Sequence, residues 1–261
     1  MPATTTAAPA RPDAPEHYPW VGPAVRSALL LSTGIVDLDP PGGADAPSEE
    51  LDRALVDTAA IEQALEAEGV APLSERTLVV AVGSNQTPQT IARKYRRSGR
   101  ELSVATPFVR CTVHGLAVGH VAHIAAPGYV PAAPYRAEGE RMELVATWFD
   151  QEQLAVVDET EPNYDRLRLS ADEVPLTLAT GERPAHFDVY ASRWGVLTDR
   201  EQPIPLRHRQ QELFDELVGL TDSPLTRGDA AEVCASLAGD PEALHRLVTE
   251  HGLSVEDGLP R

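Results

Sequence analysis

The sequence predicts an α+β protein with a strand-rich centre and helices towards both ends. Three observations lead there. Short apolar runs of strand length crowd the middle of the chain, an approximate helical stripe precedes them, and helical periodicity returns from Leu206 onward. No internal repeat is visible in the 261 residues.

Residues 1–18 are rich in Ala, Pro and Thr with little to bury, and read as a disordered arm whose removal should leave thermal stability nearly unchanged. A short apolar segment over 25–38 ends at a Pro/Gly break over 40–43. Ser48 is the expected cap of a helix carrying Leu51, Leu55, Ile61 and Leu65, with Gly69 at its end. Residues 77–82 form a compact buried strand that runs into Gly83-Ser84-Asn85. Thr87 and Pro88 then supply the cap and first position of a helix to about Arg97. Further strands are expected over 112–118, 121–125, 142–147, 164–169, 174–178 and 187–190, with a short helix over 151–160. Leu213, Phe214, Leu217 and Val218 form a late helical stripe, and Asp240-Pro241 opens a last helix that stops near Gly252.

Composition bounds the function. A formal net charge of -18 repels phosphate backbones and anionic headgroups, so neither nucleic acid nor membrane is an expected partner. No apolar run reaches the roughly 20 residues of a membrane span. The first residues lack a basic region followed by an apolar one, so no secretory signal is expected; with two cysteines, Cys111 and Cys234, this points to the cytoplasm. Lys94, the single lysine among many arginines, reads as compositional bias. Arg93, Lys94, Arg96, Arg97 and Arg100 near a helix C-terminus complement its dipole.

Two local features carry chemistry. Gly83 allows close approach of a ligand to the backbone, and a following helix start offers N–H groups suited to a carboxylate or phosphate. Neither a Walker A loop nor a dinucleotide fingerprint is present. The second feature is the acidic run Asp158-Glu159-Thr160-Glu161, which reads either as a solvated turn or, if partly buried, as a source of a general acid/base. His114, His120 and His123 lie close in sequence, but the spacing of the last two places them on opposite faces of a strand, so no metal site is expected.

Taken in order, Val82-Gly83-Ser84-Asn85, the helix after it, the acidic run from Leu154 to Glu161 and Tyr164 resemble the γ-glutamylcyclotransferase-like family. That family's loop reads YGSN, and its acidic turn carries a catalytic glutamate with a tyrosine soon after. Phe187-Asp188-Val189-Tyr190 resembles its late strand, and Pro203-Ile204-Pro205 its proline-rich turn. The chain departs from the family at Val82, Leu144, Pro162 and Arg207, where the family has tyrosine, glycine, glycine and tyrosine. The resemblance implies a small mixed β-barrel with flanking helices and N- and C-terminal extensions. Its core would span 71–220, between an N-terminal extension over 19–70 and a C-terminal helical extension over 221–261.

The activity implied is release of an amine from a γ-glutamyl amide with formation of 5-oxoproline, without cofactor or metal. Glu161 would be the general acid/base; Val80, Ala81, Val82, Gly83, Ser84, Asn85, Tyr164, Tyr190 and Arg207 would bind the small-molecule substrate. A cation at position 207 implies a substrate with an additional anionic group. The alternatives are an enzyme of the same fold acting on a specialised biosynthetic amine, and a catalytically inactive ligand-binding or interaction module.

Overall fold

The computed structural model describes residues 14–21, 25–39 and 56–261. The break over 40–43, Ser48, Leu51 and Leu55 lie outside them. A hairpin of β1 (Ala28–Leu31) and β2 (Gly34–Asp37) comes first. Helix α1 (Thr58–Ala67) is capped by Asp57, whose side chain accepts from Ala59 N–H, and not by Ser48. It buries Ile61 and Leu65. Strand β3 (Thr77–Ala81), helix α2 (Pro88–Ser98), the long strands β4 (Thr106–His120) and β5 (Ala132–Phe149), and helix α3 (Gln151–Glu159) follow. Then come β6 (Tyr164–Ser170), β7 (Leu176–Leu178), β8 (His186–Ser192), β9 (Val196–Asp199) and β10 (Gln202–Pro203). Helices α4 (Gln210–Thr221), α5 (Ala230–Gly239) and α6 (Ala243–His251) and strand β11 (Ser254–Val255) complete the chain. Residues 121–125 form no strand; Val121 makes only an isolated bridge to Val196.

The fold is α+β around a large mixed sheet of order β2-β1-β4-β5-β3-β8-β6, with β7 also beside β4. Its one parallel contact among the described residues is β3 with β8. The expected closed barrel is not formed there. β1 pairs with Thr106–Phe108 of β4, and β7 pairs with Cys111–Val113 on the same edge, so that edge is occupied twice while β6 pairs with β8 alone. Residues 171–175 carry the chain from β6 at one side to β7 at the other, linking the edges by a turn in place of a hydrogen-bonded ladder.

The expected arm over 1–18 also needs correction where the structure describes it. Pro15–His17 form a 3-10 turn that packs on α4 and α5, and Tyr18 is only 3 % exposed. One tyrosine at the end of a run of small residues anchors the segment, its ring stacked on Tyr129. The cluster built from α4, α5 and α6 includes Val121, Ile124, Val130 and Ala133 from the β4–β5 connection and start of β5. A boundary between 220 and 221 therefore divides one packed unit. Gly128 is wedged into it: at φ +94, a Cβ there would fall 1.8 Å from the Cys234 carbonyl oxygen, so no larger residue fits.

Helix α3 is fixed at its start. Asp150 and Gln153 form a capping box, and Gln153 is fully buried. Arg76 Nη1 donates to Gln153 Oε1 at 3.0 Å, while its Nε donates to the Ala71 carbonyl at 2.8 Å. A second buried cation, Arg110, lies 3.3 Å from Asp39, both side chains almost wholly withdrawn from water. Asp39 Oδ2 also accepts the Ser27 N–H, so the pair ties the end of the hairpin to β4. Removing one member of a buried pair costs about 3–5 kcal/mol, and each kcal/mol moves Tm by about 2–4 °C in a chain of this size. Arg110→Ala should therefore lower Tm by roughly 10 °C in a thermal melt; a shift under about 2 °C would show that the pair does not hold the hairpin.

Candidate functional site

The C-terminal end of β3 opens into a cavity of about 1190 Å³. Its lining includes Val80, Ala81, Val82, Gly83, Ser84, Asn85, Glu161, Tyr164 and Tyr190. The structure thus brings nine of the ten anticipated residues to one cavity. The tenth, Arg207, is not among the lining residues. Its Nη2 and Nε lie 2.7 and 2.9 Å from Glu216 Oε2, and its backbone N–H donates to His120 Nε2 at 2.9 Å. An arginine already matched by a carboxylate on α4 gives no reason for anion selection by Arg207.

The loop differs in detail from a strand running straight into a helix. Ser84–Gln86 form a 3-10 turn, with Gln86 N–H donating to the Gly83 carbonyl. This turn sends the Asn85 side chain to Glu161: Asn85 Nδ2 donates to Glu161 Oε1 at 2.9 Å. Lys94 Nζ reaches the same oxygen at 2.5 Å, with both side chains of the ion pair mostly buried, at 14 and 17 % exposure. The reading of Lys94 as compositional bias is therefore corrected: it is a cavity residue. The signal was present, because Thr90, Ile91, Lys94 and Tyr95 share one helical face and the other three are buried.

The three acids of the turn have separate surroundings. Asp158 accepts from the Tyr190 hydroxyl at 2.7 Å and from Arg166 Nε at 3.0 Å. Arg166 also pairs with Asp188. Glu159 is 58 % exposed and pairs with Arg100 at 2.6 Å. Glu161 alone of the three is joined to the Gly83-Ser84-Asn85 loop.

Four phenols border the cavity, and burial raises the pKa of each. Tyr129 is pushed up to about 12, with the Glu161 charge adding to desolvation. Tyr164 is raised first by burial and then by Tyr18, Glu161 and Tyr129. Tyr190 is raised by burial and by its hydrogen bond to Asp158. Tyr18 is raised by burial, then by Tyr129. All four are neutral donors at physiological pH. The backbone of Ala132 is held between two of them: its N–H donates to Tyr18 at 2.9 Å, and its carbonyl accepts from Tyr164 at 3.0 Å. Tyr18, Trp20, Tyr129, Lys94 and His123 line the cavity without having been anticipated there. A Cβ at Gly83 would come 2.5 Å from the Tyr18 hydroxyl, so a larger residue there would have to displace Tyr18.

Neither buried histidine belongs to a metal cluster among the described residues. His120 uses Nε2 to accept from Arg207 N–H. His123 packs its ring 5.6 Å from that of Tyr164, and its Nδ1 has no hydrogen-bond partner among the described residues. Among these residues no helix is long and apolar enough to cross a membrane.

No family model matches the chain, and no curated protein matches it in sequence. Among solved structures, it is similar to a γ-glutamyl cyclotransferase at 13 % identity, over 72 % of this chain and 93 % of that one, with a TM-score of 0.37. It is similar to an uncharacterized protein from Homo sapiens at 14 % identity, over 72 % and 93 %, with a TM-score of 0.35. A protein from Arabidopsis thaliana solved in solution matches at 15 % identity, over 45 % of this chain, with a TM-score of 0.33; the match spans 62 % of that chain. At such TM-scores the likeness does not define a common fold, and the site is read from its own geometry.

The histidines give this region a pH signature. Burial lowers the pKa of His120 and of His123 to about 4 each. Between pH 6.5 and 4 the unfolded chain then binds protons that the native chain refuses, so stability falls as pH drops through that window, by on the order of 2–3 kcal/mol per histidine. His123→Phe should remove one such contribution, so that Tm falls less steeply between pH 7 and 4.5. An unchanged slope would mean that the native imidazole takes up its proton normally.

Proposed function

We propose that this protein is an enzyme of the γ-glutamylcyclotransferase-like type. It would release an amine from a γ-glutamyl amide by intramolecular cyclisation to 5-oxoproline. The single observation that carries the reading is the junction of Glu161 with the Gly83-Ser84-Asn85 loop, in a cavity large enough for an acyl substrate. The substrate's α-nitrogen attacks the carbonyl carbon of its γ-amide, forming the ring C–N bond as the bond from that carbon to the leaving amine breaks. Glu161 takes a proton from the attacking nitrogen and returns it to the leaving nitrogen. Asn85 and Lys94 orient the carboxylate, both through Oε1, so Oε2 is engaged in neither contact. Holding the two reacting groups of one molecule together supplies much of the rate advantage.

The leaving amine is proposed to carry an anionic group. This no longer rests on Arg207 but on the cavity lining, where Arg93, Arg96 and Arg97 of α2 join Lys94. A basic rim on a chain of net charge -18 concentrates attraction for anions at one place.

One observation favours a second reading. Lys94 pairs with the Glu161 carboxylate, and a carboxylate held in an ion pair befits a ligand-binding module that keeps the cavity without turnover. The two part on a direct assay of γ-glutamyl amines with neutral and anionic leaving groups. Turnover is expected, faster for anionic leaving groups at low salt. Glu161→Gln should lower it by about two to four orders of magnitude with the fold intact. Lys94→Ala should lower it by about 10- to 100-fold, the worth of a charge-assisted hydrogen bond. Wild-type protein that binds these amides but never releases 5-oxoproline would establish the binding module in place of the enzyme.

A further inference from the structure

The segment 14–21 brings two aromatic side chains into the cavity wall that no motif announces. Tyr18 and Trp20 are 3 and 6 % exposed, and Trp20 Nε1–H donates to the Ala14 carbonyl at 2.9 Å. The Tyr18 ring stacks on Tyr129 with centroids 4.4 Å apart, and Trp20 meets both rings edge-on. This packing presses the Tyr18 hydroxyl against the loop at Gly83. The oxygen there accepts the Ala132 N–H at 2.9 Å.

A phenol oxygen has two acceptor positions and one hydrogen. With the Ala132 N–H directed at the oxygen, the hydrogen has to point away from it. None of the described residues accepts it. A buried donor left without an acceptor is costly and is uncommon in folded proteins, so a group held this way calls for an explanation. Desolvation keeps the phenol protonated, so the hydrogen is present at neutral pH. Val82, on the same loop, is apolar and offers no side-chain donor.

We propose that Tyr18 is a ligand-contacting residue, its hydroxyl hydrogen donating to a carboxylate or amide oxygen held between the Gly83-Ser84 loop and Glu161. Residues 14–20 are then a wall of the site and not an appendage to it. The inference deepens the acyl-substrate reading above and rests on it for the class of ligand. It does not require that cyclisation follow binding.

The test uses the full chain and glutarate, a dicarboxylate that carries acyl oxygens but cannot cyclise, titrated by calorimetry. Wild type should bind it. Tyr18→Phe, which keeps the ring stacking, should bind it about 10- to 100-fold more weakly, as expected for loss of a hydrogen bond to a charged group. Placing 3,5-difluorotyrosine at position 18 keeps the oxygen and makes its hydrogen a stronger donor, so glutarate should bind severalfold tighter. A purely structural Tyr18 would leave that affinity unchanged, and this substitution decides the question even if Tyr18→Phe misfolds. Equal affinity in wild type and variants, or no glutarate binding by wild type, overturns the proposal. Tyr18-dependent glutarate binding without 5-oxoproline release from any γ-glutamyl amide would leave it standing and remove only the cyclisation reading.

Discussion

The parallel pairing of β3 with β8, Val79 against Asp188 and Val80 against Val189, is the constraint from which the site follows. Two parallel strands deliver their C-terminal ends to the same edge of a sheet. That edge therefore receives Val82 and the Gly83-Ser84-Asn85 loop from β3, and Tyr190 from the end of β8. β6 runs antiparallel to β8 with Tyr164 opposite Ser192, so its beginning arrives at the same edge. The short link from α3 to β6 then has to pass there, and Glu161 lies on it. Residues far apart in sequence converge because one strand direction leaves them no other place.

Within that frame, charge is sorted by reach. Three acids within four residues would repel one another if they shared a solvent-poor site. Each instead meets a different cation: Asp158 meets Arg166, Glu159 meets Arg100 and Glu161 meets Lys94. The Arg76–Gln153–Asp150 network at the opposite end of α3 sets where the helix begins, and so where its acidic end comes to lie. A basic helix face beside an acidic turn gives the cavity a local sign opposite to that of the chain as a whole.

Much of this was legible from the residues, and the limits of legibility have physical causes. Strand β3, helix α2 and helix α3 could be read closely because each combines an apolar pattern with an end signal: Gly83 after β3, Thr87-Pro88 before α2, and the acidic turn after α3. The length of β4 and β5 could not, because glycines and charged residues interrupt their apolar pattern. The β4–β5 register shifts between His114 and Leu116 at Gly115. Closure of the sheet is a matter of which edge is already paired, a nonlocal fact that no run of residues records. Tyr18 and Trp20 escaped notice because their burial depends on elements more than a hundred positions away. Arg207 was misplaced for a related reason: its sequence neighbourhood could not show that Glu216, one helix face later, would claim it.

The wedge at Gly128 joins two parts of the molecule that share no chemistry. The residue after it, Tyr129, stacks on Tyr18, while Gly128 itself abuts the α5 carbonyl of Cys234. The 3-10 turn that leads into Tyr18 rests on α4 and α5 as well. The C-terminal helices thus grip both halves of the aromatic stack from behind, as a vice grips two jaws. They lend the site no reactive group, yet the spacing between its walls is set by how tightly those helices are packed. A substitution deep in their core, at Leu237 or Cys234, would therefore be felt as a change in the shape of ligand the cavity admits.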